Sequence, residues 1–145
     1  MKKIIIIPLV LLLAGCQKWL TINAFEQEHQ LYFESQELSE QCSDGDVFVY
    51  SLGVSQALCS KNCVRWEVAV NDNSENTNPI AFPIKYGASI PNTEIRTQAQ
   101  VLAAGKYHIS GNISCTGADI GRVFGDFSIE VAPDGAIQIE NLNSD

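Results

Sequence analysis

Apolar residues recur at every second position through most of this chain, and that period decides what it can fold into. In residues 64–70, Val64, Trp66, Val68 and Val70 alternate with Arg65, Glu67 and Ala69. Successive strand residues point to opposite faces, so the pattern buries one side of a strand and leaves the other wet. Residues 94–101 place Ile95, Thr97, Ala99 and Val101 together. Residues 106–115 do the same for Tyr107, Ile109, Gly111, Ile113 and Cys115, and residues 122–131 for Val123, Gly125, Phe127, Ile129 and Val131. Shorter strands are predicted over 31–33, 46–54 and 136–142, the last entered through the turn residues Pro133-Asp134-Gly135. Residues 80–85 are interrupted by Pro83, which fits an edge strand. No segment carries a long helical period, although 27–41 is polar enough to be ambiguous. Seven or eight short strands in roughly 110 residues predict an all-β antiparallel sandwich.

The alternation begins only after a different kind of segment. Residues 1–16 read MKKIIIIPLVLLLAGC: two lysines, an apolar run from Ile4 to Leu13, then small residues before Cys16. This is the layout of a secretory signal. The run is too short for a comfortable transmembrane helix, the main alternative. Leu13-Ala14-Gly15-Cys16 resembles the lipobox of bacterial lipoproteins. The resemblance implies a signal peptide over 1–15, cleavage before Cys16 and lipidation of Cys16. Gln17 in place of Asp implies, by the same family's sorting rule, the outer membrane facing the periplasm. Residues 16–29 are then a lipidated tether. Its Trp19, Leu20, Ile22 and Phe25 leave open whether it packs on the domain or lies at the lipid interface. The single domain is expected over 30–145.

Cleavage would leave 130 residues, with seven Lys+Arg against 17 Asp+Glu. Such an acidic surface repels phosphates and excludes a nucleic-acid partner from the expectation. Four cysteines remain: Cys42, Cys59, Cys63 and Cys115. An even set in an oxidising compartment reads as two disulfides, with three possible connectivities. Cys115 shares parity with the core-facing residues of its strand, whereas Cys63 shares parity with outward-facing Arg65 and Glu67. Opposite faces are poor partners, which favours Cys59–Cys63 and Cys42–Cys115. Zinc would need a second close pair besides Cys59 and Cys63. No metal or cofactor is expected.

The segment 102–107, Leu-Ala-Ala-Gly-Lys-Tyr, resembles the corner before the penultimate strand of immunoglobulin-like and fibronectin-like domains. The resemblance implies that the Tyr107 hydroxyl returns to upstream backbone, that Gly105 allows the turn and that Leu102 fills the core. The fold class expected is therefore an immunoglobulin-like antiparallel β-sandwich. Cys115 lies eight positions after Tyr107, so the usual inter-sheet bridge of that family does not map. An ordinary strand aromatic after a turn is the competing reading.

Catalytic chemistry is hard to find. His29 and His108 are the two histidines, and His108 alternates with apolar neighbours, so it is expected to point outward. No G-x-S-x-G elbow and no H-E-x-x-H motif occurs. Gly117, Gly121 and Gly125 precede and enter a strand, which fits a loop, a strand entry and a close-packing site better than a phosphate loop. Residues 71–78 are oxygen-rich but lack the register of a calcium loop. One charge feature stands out: from Trp19 to Ser60 there is no Lys or Arg, while Glu26, Glu28, Glu34, Glu37, Glu40, Asp44 and Asp46 are acidic. A one-signed patch steers a cationic protein partner, although such charge also serves solubility.

The order of lipobox, Cys42, the segment 84–92 (IKYGASIPN) and the 102–107 corner resembles a family of small periplasmic lipoproteins described as type VI secretion immunity proteins. The resemblance covers about residues 42–115. It implies a non-enzymatic, lipid-anchored protein that occludes a toxin effector. The alternative expectation is an envelope structural or secretion/pilus assembly lipoprotein that engages its partner through an edge strand.

Overall fold

The computed structural model describes residues 19–42, 46–71, 78–115 and 121–143. They form an all-β sandwich of two sheets with one short helix. The strands are β1 (Trp19–Thr21), β2 (Asn23–Gln27), β3 (Gln30–Glu34), β4 (Val47–Gln56), β5 (Val64–Ala69), β6 (Ile84–Lys85), β7 (Glu94–Thr97), β8 (Gly105–Cys115), β9 (Gly121–Val131) and β10 (Ile137–Asn141). Helix α1 (Gln36–Gln41) lies between β3 and β4. The larger sheet runs β1-β9-β8-β4-β5-β7, with β10 also on β9; the smaller runs β2-β3-β6. Pairing of β3 with β6 in one sheet and of β4 with β8 in the other forces the chain to cross between sheets, as in immunoglobulin-like domains.

The long strands keep the period that the sequence shows. Tyr107, Ile109 and Ile113 of β8 and Val123, Phe127 and Ile129 of β9 are all buried. Trp66 and Val68 of β5 join them, and Phe33 of β3 faces them from the smaller sheet. Phe33 stacks on Trp66 at 6.4 Å and meets Phe127 edge-on at 5.9 Å, so aromatic contacts join the layers.

Four expectations change. Among the described residues the strands number ten, and β1 pairs parallel with β9, so the sandwich is not wholly antiparallel. The described part of the 16–29 stretch is not a tether: β1 and β2 belong to the domain, which starts by Trp19 rather than at residue 30. Leu20, Ile22 and Ala24 are buried, and this alternation was the signal for the strands. The predicted strand over 94–101 stops at Thr97, because β7 pairs only with β5 and its Ile95 is exposed. Val131, at the end of β9, is likewise exposed.

Ile22 is where the chain leaves the larger sheet for the smaller. Its N–H donates to the Phe124 carbonyl at 3.2 Å, and its own carbonyl sits over Gly125, where a Cβ would come within 2.0 Å of it. Beyond this crossing, β10 takes over the edge of β9 that β1 has left. Two asparagines fix the exchange. Asn141 accepts from the Ala24 N–H at 2.8 Å and donates to the Ala24 carbonyl at 2.9 Å, imitating a strand neighbour. Asn143 accepts from the Asp126 N–H at 2.7 Å and donates to Asn23 Oδ1 at 2.6 Å.

Helix α1 starts at Ser35, which is fully buried. The Ser35 hydroxyl accepts from the Leu38 N–H at 3.3 Å and donates to the Thr21 carbonyl at 2.8 Å. One hydroxyl thus caps the helix and ties it to β1. Cys42, at the end of α1, is bonded to Cys115 at the end of β8, with Cα atoms 5.5 Å apart. Cys59 is bonded to Cys63 in the β4–β5 loop. This is the pairing that face parity favours.

Candidate functional site

The strands run the length of the sandwich and give it two distinct ends. Trp19, Arg122 and Asn112 lie side by side toward one, together with the Cys42–Cys115 bridge. Ile129 and Gly105 lie toward the other, about 23 Å along β9 from Arg122 at strand rise. The β2–β3 turn, the Cys59–Cys63 loop and the 102–107 corner all sit at this second end.

The corner is built as the immunoglobulin-like resemblance implies. The Tyr107 hydroxyl donates to the Ala103 carbonyl at 2.7 Å, and its ring stacks on Phe127 at 5.6 Å. Gly105 adopts φ +155°, and Leu102 packs against the core. Burial pushes the Tyr107 phenol above its ordinary range, which keeps the donated proton in place. Tyr86 pins the preceding segment. Its hydroxyl lies 2.7 Å from the Gln100 carbonyl and 3.1 Å from that of Arg65, and burial raises its pKa too. Arg65 donates to Gln56 Oε1 at 2.6 Å and to the Asn62 carbonyl at 2.9 Å, tying the disulfide loop to the same cluster.

These pins surround a groove of about 310 Å³ between the sheets, with Leu31, Leu102, Ile129, Ile137 and Ile139 in its walls and Glu26 and His29 at its lip. Apolar side chains are held in solvent at the same end: Leu58 is 101% exposed and Val101 99%, and Val131 and Ile137 are exposed as well. Strain gathers there as well. Of the five described non-glycine residues at positive φ, Glu28, His29, Leu58 and Asn62 belong to this end, and Asn92 is the fifth. Glu28 and His29 form the two-residue β2–β3 turn, at φ +51° and +62°, where Asn-Gly is the unstrained choice. Leu58 combines positive φ with full exposure of an apolar side chain.

A second depression, about 370 Å³, crosses the outer face of the larger sheet. Its floor is small and polar (Ser51, Gly53, Ser110, Asn112), between Arg122 and Glu67. Trp19, at one side, is its one large exposed apolar group.

The acidic residues singled out above do not form one patch. Glu26 and Glu28 lie at the groove end; Glu34, Glu37, Glu40 and Asp46 lie on β3, on α1 and before β4, at the disulfide end. The β2–β3 turn and the length of β3 separate charges that sequence places in one run. Asp44 and Cys16 lie outside the described residues. His108 faces outward on β8, where Nδ1 meets Asp126 Oδ1 and the ring stacks on Phe124 at 5.9 Å. Among the described residues, no three His, Cys, Asp or Glu side chains are grouped to hold a metal, and no helix is long and apolar enough to cross a membrane.

The groove, Leu58 and Val101 escape sequence reasoning. Leu58 and Val101 read as ordinary apolar residues, and their exposure follows only from the loop disulfide and from the bonds that hold Gln100. Compared with family models, curated proteins and solved structures, the chain matches none.

Proposed function

We propose that this chain is a lipid-anchored periplasmic protein that binds and occludes a protein partner, in the manner of an immunity protein against a toxin effector. Its anchor is Cys16, and the outer membrane is its place. The observation that carries the reading is the groove end, where exposed Val101 borders an apolar cleft and Leu58 stands exposed on the loop at the same end. Occlusion needs a rigid complementary surface and no catalytic group. Two disulfides and the tyrosine pins supply rigidity, and Glu26 and His29 at the lip offer polar contacts around the apolar cleft.

The test takes as probe any secreted toxin encoded by a gene adjacent to this protein's. Co-expression should protect cells, and Leu58→Glu or Val101→Glu should weaken toxin binding about tenfold or more each, with an unchanged melting temperature. Wild-type binding by both variants, or killing that proceeds equally with and without the protein, would sink the proposal. The second reading, an envelope assembly lipoprotein, is favoured by one observation: β7 ends the larger sheet, with Ile95 exposed. Strand addition at that edge would be blocked by Ile95→Pro and would be indifferent to Leu58→Glu.

A further inference from the structure

We infer that the outward face formed by β1 and the start of β9 rests on the lipid leaflet that holds the anchor. The inference builds on the reading of Cys16 as the lipidated residue. Trp19 is 58% exposed, Phe124 39% and Leu142 38%, and all three border one shallow depression. Trp19 and Phe124 meet edge-on at 6.4 Å, and the Arg122 guanidinium lies 5.6 Å from the Trp19 ring. Exposed aromatics held together with an arginine suit the headgroup region, where indole tolerates both water and acyl chain and a guanidinium meets phosphate.

Covalent reach supplies the occupant. Trp19 is the third residue after Cys16. Three residues span at most about 11 Å, so a lipid on Cys16 brings Trp19 within that distance of the headgroups. A strand starting so soon after its anchor keeps β1 close to the leaflet surface. Two acids share this side with Arg122: Asp126, which borders the same depression and is engaged by His108, and Glu67 of β5, which lines the neighbouring depression on the sheet face. The other acids of this end lie on β3, α1 and the approach to β4.

The experiment uses the full chain, expressed in a bacterial host, purified from its membranes and reconstituted into phosphatidylethanolamine/phosphatidylglycerol vesicles with brominated acyl chains. Trp19 and Trp66 are the two tryptophans, and Trp66 is 1% exposed, so it serves as an internal reference. Bromine should remove roughly half of the total emission, Trp19→Phe should abolish that loss, and Arg122→Glu should reduce it at least about twofold. The intact mass reads the anchor separately. A mature chain without diacylglycerol overturns the anchor reading and this inference together. A lipidated chain whose Trp19 is not quenched overturns this inference alone. Trp19 shielded from aqueous iodide but untouched by bromine also overturns it, because a protein would then cover the face.

Discussion

The two ends of the sandwich are closed by different means. At one, a disulfide joins residues 73 positions apart, Cys42 at the end of α1 and Cys115 at the end of β8. At the other, the described disulfide spans only four positions, and the sheets are held by the hydroxyls of Tyr86 and Tyr107 around a cavity. The first closure restricts the unfolded chain and leaves little to adjust. The second keeps an apolar cleft, exposed Leu58 and Val101, and strained turns within one folded frame. The long-range staple and the proposed recognition surface thus lie at opposite ends, with the proposed anchor beside the staple.

The largest expected effect separates the two bridges. Chain-entropy reasoning gives about 4 kcal/mol for the long loop and about 2 kcal/mol for the short one. Cys42→Ala with Cys115→Ala should therefore lower the urea midpoint roughly twice as far as Cys59→Ala with Cys63→Ala. Equal losses would break the comparison. Partner binding should respond the other way, because the short loop presents Leu58.

Gly125→Ala comes next. The new methyl would approach the Ile22 carbonyl within 2.0 Å, and backbone cannot move aside as a side chain can. Displacing the crossing between sheets should cost about 3 kcal/mol, measured by equilibrium unfolding. A neutral result would mean that the exchange of β1 for β10 along β9 is looser than Asn141 and Asn143 imply.

Tyr107→Phe tests the groove end alone. It removes the bond to the Ala103 carbonyl and keeps the ring on Phe127. The loss should be about 1 kcal/mol, with faster amide exchange confined to the corner and the Cys59–Cys63 loop. Loss of protection near Cys115 would show that the ends are coupled.

How much of this was legible in the sequence follows from strand length and neighbours. Eleven-residue β8 and β9 lie inside the sheet with partners on both edges, so alternation and burial agree at Ile109, Ile113, Val123 and Phe127. At β7, an edge strand of four residues, the same alternation predicts burial for Ile95 that the missing neighbour cannot provide. β1 and β2 hid because each is short and the chain changes sheets at Ile22. The corner was readable because Leu102, Gly105 and Tyr107 act within six residues. The groove was not, since its walls come from β3, β9, β10 and the segment before β8, which are distant in sequence and meet only after folding.

The smallest effect concerns pH and again falls on one end. Burial raises the phenol pKa of Tyr86 and of Tyr107 above the unfolded value of about 10. The folded state then holds those protons more tightly, so this contribution is fully present below pH about 10 and is lost as pH rises through the folded values. The chemistry gives the same sign, because a phenolate at either position would face a carbonyl oxygen, that of Gln100 or of Ala103, with no proton between them. Urea midpoints taken between pH 8 and pH 11 should fall on the alkaline side. Tyr86→Phe with Tyr107→Phe should start lower and flatten that limb, because neither ring can then ionise. A double variant that declines as steeply as the parent would place the alkaline sensitivity elsewhere, and the groove end would lose its claim to be held by two protonated hydroxyls.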